Sequence, residues 1–419
     1  MTQLKTGRLE TTKLIRPMVT RHWNNIRQAH AEGRPIAWGA GLPNLITDAM
    51  DIPTHFMGGY ASYCAGSGGA DELLEAAEAD GYLRETCSYH RMHLGNIALI
   101  EKGISPKEQF FLPAPDLMVC FRACMEHAHY VEALYRHCKM PVIVVDVPTV
   151  YTSDEFEPAI NFVVRQMKEE AIPALERFCG RKFNYDRLSE LLATIKKAGM
   201  LRSECWELAA HKPAPCTIMD LVTSHGAILY GVGPHSIEYF QSMKEELELR
   251  VANNVAAVSG EKYRLMWDHI IPWHSMGLLP RKMIAYKANI LMGRYTHEMF
   301  PHPEAIDPED PLRTIADQYV RYWLQILTPT SISDMSGEKF FIDSIKKYSI
   351  DGIIMHNGVT CRIYSMGQHD ILTAVREKLG TPGVIFEGDM ADRQFFSESQ
   401  FEIRLQALLE TIDERRGRN

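Results

Sequence analysis

Residues 141–147 read PVIVVDV, a short and continuous apolar run that begins at a proline. Similar runs are DLMVC at residues 116–120 and DGIIMHNGV at residues 351–359. Such runs are typical of strands in a parallel sheet that is covered on both faces. Helical patterns separate them, for example ADELLEAAEADGY at residues 70–82, so the sequence predicts alternating strands and helices.

The order of these patterns divides the chain into three parts. Residues 1–33 are predicted to form a polar N-terminal helical arm, and residues 34–153 a first α/β domain. Residues 154–419 begin with a helical connection and continue as a second α/β domain. The predicted fold class is therefore α/β, with two Rossmann-like domains, each with a parallel sheet, joined by a helical region.

The composition is that of an ordinary globular protein. The 419 residues carry a net charge of −8. This disfavours nucleic-acid binding, because a protein needs clustered Lys and Arg side chains to neutralise the phosphates. No run approaches the roughly 18 apolar residues that cross a bilayer. The N-terminal MTQLKTGRLETTKLIRP lacks the apolar stretch of a secretory signal. We therefore expect a cytoplasmic protein without nucleic-acid or membrane partners.

Nine cysteines are scattered along the chain, and this odd number in a reducing compartment argues against a disulfide framework. Four of them lie in loops near predicted strand ends or helix starts: Cys87, Cys120, Cys124 and Cys361. In open α/β sheets ligands bind beyond the carboxyl ends of the strands, and a helix N-terminus favours the thiolate form of cysteine. Three separate loops could therefore deliver three thiolates to one crevice between the two domains.

The spacing of these cysteines leaves two interpretations open: ligands of an iron–sulfur cluster, or ordinary buried core residues. Structural zinc sites use four ligands in paired, short-spaced motifs, and no such pair of motifs occurs here. Three thiolates could instead hold an iron–sulfur cluster with an open fourth position, although free cysteines are more often buried core residues. The chain also contains no GxxxxGK[ST] phosphate loop and no GxSxG nucleophile elbow.

Several longer segments resemble the cluster-bearing subunits of the 2-hydroxyacyl-CoA dehydratase and ATP-dependent (class I) benzoyl-CoA reductase family. In chain order they are GYLRETCSYHRMHLG, LPAPDLMVCFRAC, GRKFNYDRLSELL, GEKYRLMW, DGIIMHNGVTCRIYSMGQ and FEGDMADRQFFSESQFEIRLQALLE. In that family three cysteines hold a [4Fe–4S] cluster in the cleft between two α/β domains. Carried over by motif, the cluster ligands are Cys87, Cys124 and Cys361, with Cys124 preferred to Cys120 because it ends its segment.

The resemblance also implies partners and a reaction. The family acts on CoA thioesters, pairs the chain with a homologous cluster-bearing subunit and receives electrons from an ATP-hydrolysing iron–sulfur activator. The lack of a phosphate loop here agrees with ATP hydrolysis elsewhere. Dehydratases of the family act through a ketyl radical. The reductases dearomatise the ring of an aryl-CoA by low-potential one-electron transfers and protonations.

Two glycines bear on which branch of the family this is. Substrate-binding dehydratase subunits supply a Ser shortly after a Trp and a Glu after the next strand. The corresponding positions here are Gly41 in AWGAGLP and Gly58 in HFMGGYAS, and glycine has no side chain to move a proton. Segments such as EYFQSMKEELELRV also look more like the reductases. We therefore expect an aryl-CoA reductase of the benzoyl-CoA type. The alternatives are a 2-hydroxyacyl-CoA dehydratase subunit and a non-catalytic electron-relay partner subunit.

The proton donors of such a reductase are expected near the crevice. His55, Tyr60 and His90 are the candidates, since buried tyrosine and histidine can shuttle protons. The other interpretation of each is core packing with an ordinary hydrogen bond.

Overall fold

The structure, a computed structural model, describes residues 6–40, 45–298, 302–323 and 336–418. The eight strands within these residues form two four-stranded sheets in which every pair of neighbours is parallel. The strands are β1 (Ala37–Ala40), β2 (Thr54–Phe56), β3 (Leu117–Arg122), β4 (Val142–Asp146), β5 (Tyr263–Asp268), β6 (Ala288–Gly293), β7 (Gly352–Gly358) and β8 (Gly383–Gly388). The predicted class, two α/β domains with parallel sheets, is confirmed.

The two sheets have the same strand order. The first runs β2-β1-β3-β4 and the second runs β6-β5-β7-β8, so each sheet places its first strand beside its third. In a doubly wound sheet this is the point where the chain reverses direction across the sheet and where ligands bind, beyond the carboxyl ends of the strands. The loops that follow β3 and β7 therefore occupy equivalent positions in the two domains.

The strands in the middle of the sheets are buried along their length, as the apolar runs predict. All six residues of β5 and the first five of β3 are buried. The strand predicted from PVIVVDV differs, because β4 is an edge strand of its sheet. Ile143 and Val145 are buried whereas Val144 is 37% exposed, so this strand is covered on one face only.

The helices surround and connect the sheets. The α-helices are α1 (Ile15–Ala31), α2 (Leu45–Asp48), α3 (Met57–Gly66), α4 (Ala70–Ala79), α5 (Ser88–Glu101), α6 (Met125–Cys138), α7 (Phe156–Gln166), α8 (Ile172–Cys179), α9 (Tyr185–Ala209), α10 (Ile218–Thr223), α11 (Gly226–Leu229), α12 (Pro234–Ala252), α13 (Leu278–Ala285), α14 (Arg294–Glu298), α15 (Pro311–Asp317), α16 (Gly337–Tyr348), α17 (Arg362–Ser365), α18 (Gln368–Leu379) and α19 (Glu398–Arg418). Short 3-10 helices cover Glu10–Leu14, Glu108–Phe110, Ser153–Glu155, Trp273–Ser275, Pro303–Ala305 and Arg393–Phe395, and π-helical turns cover Met167–Ala171 and Gln318–Trp323. Within the described part of the chain, no helix has the length and apolar character needed to cross a membrane.

Helices α7 to α12 lie between the two sheets in the sequence, where the helical connection is predicted. Helix α8 ends at Gly180, whose φ of 63° is the left-handed conformation that glycine adopts without strain. Helix α9 begins after Asn184, whose side chain accepts a hydrogen bond of 2.9 Å from the backbone N–H of Arg187. Both boundaries are therefore set by the local chemistry of a single residue.

The N-terminal arm packs against the rest of the molecule. Trp23 and Ile26 of α1 are buried in the common core. Further upstream, the Arg250 guanidinium donates to the backbone carbonyl oxygens of Gly7 at 2.7 Å and Arg8 at 2.8 Å. The segment before α1 is therefore held by α12, whereas α1 itself contributes to the core.

Candidate functional site

The three candidate ligand cysteines share one local geometry. Cys87, Cys124 and Cys361 are the N-cap residues of α5, α6 and α17. Cys124 follows β3 and Cys361 follows β7, which are equivalent strands of the two sheets. Each thiol therefore lies at the positive end of a helix, where unpaired backbone N–H groups favour a negatively charged sulfur.

Hydrogen bonds join the three cysteine segments to one another. The backbone N–H of Cys87 donates to Oε2 of Glu126 at 3.4 Å, which connects it to the segment of Cys124. The next backbone N–H, that of Ser88, donates to Oγ1 of Thr360 at 3.1 Å. Thr360 directly precedes Cys361 in the sequence. The Cys87 segment thus contacts both of the others, one from its own domain and one from the second domain.

Burial dominates the electrostatics of these thiols. It raises the pKa of Cys87, although the backbone N–H of His90 acts in the opposite direction. Negative charge on Cys124 or Glu126 raises the pKa of Cys87 further. Burial also raises the pKa of Cys124, against the backbone N–H groups of α6. Burial therefore favours the neutral form of both thiols, and a bound cation would favour their thiolate form.

The donor set distinguishes between kinds of metal centre. Over residues 6–40, 45–298, 302–323 and 336–418, no three His, Cys, Asp or Glu side chains converge closely enough to hold a single metal ion. An iron–sulfur cluster makes a different demand, because separate thiolates bind separate irons and stand apart around the cluster. Three thiols on three helix N-termini, with backbone N–H groups beside the sulfurs, are compatible with that kind of centre.

Cys120 lies in a different environment. It belongs to the interior of β3, where it pairs with Ala40 of β1 and Val144 of β4, and it is fully buried. Burial raises the pKa of this thiol to about 12. Cys124 is partly exposed and caps a helix, as described above. The placement of Cys120 is that of a small apolar core residue.

Comparison with known proteins places the chain in a family. Residues 40–412 match the family described as 2-hydroxyglutaryl-CoA dehydratase, D-component. The chain belongs to this family. It is 28% identical to the (R)-2-hydroxyisocaproyl-CoA dehydratase alpha subunit of Clostridioides difficile, over 98% of both chains. It is 27% identical to the lactoyl-CoA dehydratase alpha subunit of Anaerotignum propionicum, over 92% of this chain and 93% of that one.

One relative comes from the other branch. The chain is 25% identical to a subunit of the benzoyl-CoA reductase of Thauera aromatica, over 82% of this chain and 81% of that one. The expected family is thus confirmed, but the expected reductase activity is not specifically supported. The dehydratase alternative has the better support, because the family model is that of a dehydratase component and the two dehydratase alpha subunits named above align over more of the chain and with higher identity than the reductase subunit.

The glycine at the position where the resemblance leads one to expect a Glu has little room for a larger side chain. Gly58 lies in the first turn of α3, and a Cβ atom built on it would be 2.8 Å from Cε1 of Phe56. The same atom would be 3.6 Å from the ring of Tyr89, two residues after Cys87. Phe56 therefore fills the space into which a side chain at position 58 would point. Gly41, the other position, lies outside the described residues.

Two of the candidate proton donors lie in a buried aromatic cluster of the first domain. The Tyr60 hydroxyl donates to the backbone carbonyl of Phe110 at 2.8 Å. Nε2 of His55 is 2.7 Å from Nε2 of His93, and Nδ1 of His93 is 2.7 Å from the carbonyl oxygen of Tyr89. That carbonyl can only accept, so His93 carries its proton on Nδ1 and accepts at Nε2 from His55.

These hydrogen bonds determine what the two side chains can do. Burial lowers the pKa of His55 well below its ordinary value and that of His93 to about 3, so both rings are neutral near neutral pH. The Tyr60 proton is already donated to a carbonyl, and burial raises the pKa of that phenol. His55 and Tyr60 therefore make the hydrogen bonds of ordinary buried core residues. The exception is Nδ1 of His55, which has no hydrogen-bond partner among the described residues.

His90, the third candidate, lies nearest to the cysteines. Its ring stacks on Tyr130 with centroids 4.3 Å apart, and its Nδ1 is 3.8 Å from Oε2 of Glu126. Burial lowers the pKa of His90 although the carboxylate acts against it. His90 in turn lowers the pKa of Glu126. The imidazole and the carboxylate therefore form a coupled pair beside the Cys87 N–H.

Tyr89 and Thr360 are site residues that the sequence did not single out. Burial raises the pKa of Tyr89, and negative charge on Cys87 or Cys361 raises it further. The Tyr89 hydroxyl accepts a hydrogen bond from the indole N–H of Trp273 in the second domain. The hydrogen-bond partner of Tyr89 lies 184 residues away in the sequence, and that of Thr360 lies 272 residues away. No local sequence pattern therefore points to either residue.

Proposed function

We propose that this chain is the [4Fe–4S] subunit of a 2-hydroxyacyl-CoA dehydratase, with Cys87, Cys124 and Cys361 as the cluster ligands. The observation that carries the proposal is the placement of these three thiols at three helix N-caps whose segments contact one another. Membership of the dehydratase family supports the substrate class, a CoA thioester. When bound, the cluster supplies single electrons at low potential.

The protein's own residues perform three tasks in this proposal. The N-terminal turns of α5 and α6 direct backbone N–H groups at Cys87 and Cys124, which favours the thiolate ligands. The hydrogen bond from Ser88 to Thr360 fixes the separation of the Cys87 and Cys361 segments. Burial of Cys87 keeps water from one side of the site.

The proposed enzyme is a complex of several subunits. The relatives are themselves named as subunits of dehydratases or of a reductase, which supports a partner for this chain as well. By resemblance, that partner is a homologous cluster-bearing subunit, and a separate iron–sulfur activator hydrolyses ATP and delivers the electron. These two partners and the cytoplasmic location are part of the proposal.

Gly58 favours a second candidate function, an aryl-CoA reductase of the benzoyl-CoA type. A dehydratase subunit that carries out acid–base chemistry would need a proton-exchanging group, and the position next to Tyr89 instead holds a glycine beneath Phe56. A reductase in which protons arrive from another group, or a complex in which the homologous subunit holds the substrate, has no such requirement.

Iron analysis of the full chain, purified without oxygen, tests the cluster. We expect a brown protein with about four irons per chain. Cys87→Ala, Cys124→Ala and Cys361→Ala should each lose the iron, whereas the matched control Cys120→Ala should keep it. An iron-free folded protein would overturn the proposal, and loss of iron in Cys120→Ala but not in Cys124→Ala would overturn the ligand assignment.

Product analysis of the complex with reduced activator distinguishes the two functions. Conversion of a 2-hydroxyacyl-CoA to an enoyl-CoA supports the dehydratase. Conversion of benzoyl-CoA to a dearomatised product, without action on 2-hydroxyacyl-CoA, would replace it by the reductase.

A further inference from the structure

His269, in the second domain, has an unusual backbone conformation. It follows directly after β5 and has a φ of 79°, in the left-handed region where a Cβ atom is unfavourable. Among the described residues other than glycine, five more have a positive φ: Asp51, Lys139, Asn254, Lys287 and Ser349. All five are exposed, whereas His269 is completely buried. A buried imidazole in a conformation that favours glycine indicates that this side chain has a specific task.

The hydrogen bonds of His269 determine where its proton lies. Nδ1 accepts a hydrogen bond of 2.7 Å from the backbone N–H of Ile270, so Nδ1 carries no proton. The proton of the ring is therefore on Nε2. Nε2 is 3.4 Å from the backbone carbonyl oxygen of Cys361. The imidazole thus donates from the end of β5 to the backbone of a candidate cluster ligand.

The ring also lies against the end of β7, just before Cys361. A Cβ atom built on Gly358 would be 2.5 Å from both Cε1 and Nε2 of His269, so the ring covers this glycine. The N–H of Cys361 donates to the carbonyl oxygen of Gly358 at 3.1 Å. The Ser365 hydroxyl shares its proton between that oxygen at 3.0 Å and the carbonyl oxygen of Cys361 at 2.9 Å. The turn that carries Cys361 is therefore held from within by Ser365 and from the neighbouring strand by His269.

We propose that His269 is a positioning residue for Cys361. Its Nε2–H fixes the peptide group that follows the cysteine, and with it the direction of the thiol toward the other two candidate ligands. That this thiol binds a cluster rests on the proposed function. The proposal adds a residue that lies outside all three cysteine segments, and it explains why a histidine occupies a left-handed position in the core.

Two substitutions separate the hydrogen bond from the backbone conformation. In His269→Gln the amide nitrogen can reach the place of Nε2 and donate to the Cys361 carbonyl, whereas in His269→Asn the amide reaches only the place of Nδ1. Asparagine, however, adopts the left-handed conformation more readily than glutamine does. A purely structural role therefore predicts that Asn is tolerated better, and positioning of Cys361 predicts that Gln is tolerated better.

Release of iron from the full chain, purified without oxygen, measures the effect. With a ferrous chelator present, the cluster absorbance of His269→Asn should decay at least about tenfold faster than that of the unchanged protein. His269→Gln should stay close to the unchanged protein. His269→Gly relieves the backbone strain but has no donor, so it should release iron as fast as His269→Asn. The control Ser349→Asn replaces an exposed left-handed residue that follows α16 and should release iron normally.

A second measurement does not depend on iron. In protein stripped of metal, iodoacetamide alkylates accessible thiols, and peptide mapping locates the label. Cys361 is partly exposed, and loss of the Nε2–H donor loosens its turn. We therefore expect faster alkylation of Cys361 in His269→Asn and an unchanged rate in His269→Gln. Cys179, the partly exposed last residue of α8, serves as the internal reference.

The two measurements separate failure of this inference from failure of the cluster proposal. Equal iron release from the Asn and Gln variants, or slower release from the Asn variant, would overturn the positioning role and leave the cluster standing. An unchanged protein that folds without iron would overturn the cluster instead. The alkylation rates would then decide the role of His269, and equal rates in the two variants would overturn it.

Discussion

The backbone N–H of Ser88 donates to Oγ1 of Thr360 at 3.1 Å, across 272 positions of the sequence. The Thr360 hydroxyl in turn donates to the carboxylate of Asp389, whose other oxygen accepts from the backbone N–H groups of Ala391 and Asp392. Ser88, Thr360 and Asp389 are all buried. This chain of hydrogen bonds ties the helix that carries Cys87 to the loop that carries Cys361, so it holds two candidate ligands from different domains in register.

Removal of the Thr360 hydroxyl should destabilise the protein. Thr360→Val keeps the shape but leaves the Ser88 N–H and one Asp389 oxygen without a partner in a buried place, at a cost of about 1–3 kcal/mol. Chemical unfolding measures this cost. Thr360→Ser keeps the hydroxyl and should lie much closer to the unchanged protein. Equal stability of Thr360→Val would show that the hydrogen bond contributes nothing.

The glycine of α5 that packs against α4 should not tolerate a methyl group. A Cβ atom on Gly95 would lie 1.8 Å from the carbonyl oxygen of Leu73, so Gly95→Ala must push two helices apart. We expect a loss of at least about 2 kcal/mol in the free energy of unfolding. Gly417→Ala is the control, because nothing lies within 4 Å of its Cβ position. This control should be neutral or slightly stabilising, as alanine is the better helix former.

Phe56 and Gly58 should show energetic coupling. Gly58→Ala brings a methyl group to 2.8 Å from the Phe56 ring and should cost about 1–3 kcal/mol through overpacking. Phe56→Leu shortens the opposing side chain, so Gly58→Ala should cost less in that background. A double-mutant cycle measured by thermal unfolding gives the interaction energy. Additive effects would show that Phe56 does not occupy the space beside Gly58.

Asp48 should make stability depend on pH. Burial raises the pKa of this carboxyl from its ordinary 3.8 to about 7, against the attraction of Arg187. The folded protein therefore binds the proton more tightly than the unfolded chain, and stability falls as the pH rises from about 4 to about 7. Asp48→Asn does not titrate, so it should be more stable than the unchanged protein at pH 8, by up to about 3 kcal/mol. Its advantage should shrink toward pH 4, and an advantage independent of pH would contradict the raised pKa.

Several features of the fold followed from the sequence because they depend on local patterns. The apolar runs at 116–120 and 141–147 indicated parallel strands, and β3 and β4 are adjacent and parallel. The helix boundaries at Gly180 and Asn184 likewise depend on chemistry that acts within one turn. The prediction that PVIVVDV is covered on both faces was wrong, because its position at the edge of the sheet depends on which strands pair.

The candidate site could be predicted only in part. Family motifs nominated Cys87, Cys124 and Cys361, and their placement at helix N-caps depends on local sequence. The environments of His55 and Tyr60 could not be predicted in this way, since their contacts with His93 and with the carbonyl of Phe110 join separate segments. The family resemblance also could not reveal that Phe56 covers Gly58, because the distance between them depends on backbone geometry.

The sequence by itself determined the α/β class, the order of strands and helices, and the family, because periodicity and motifs are properties of neighbouring residues. Only the tertiary structure decided which groups meet. It set the equal strand order of the two sheets, the bond from Ser88 to Thr360, and the bond from His269 to Cys361. The physical reason is that burial and hydrogen bonding act over a few ångströms in space, whereas these partners lie tens to hundreds of residues apart along the chain.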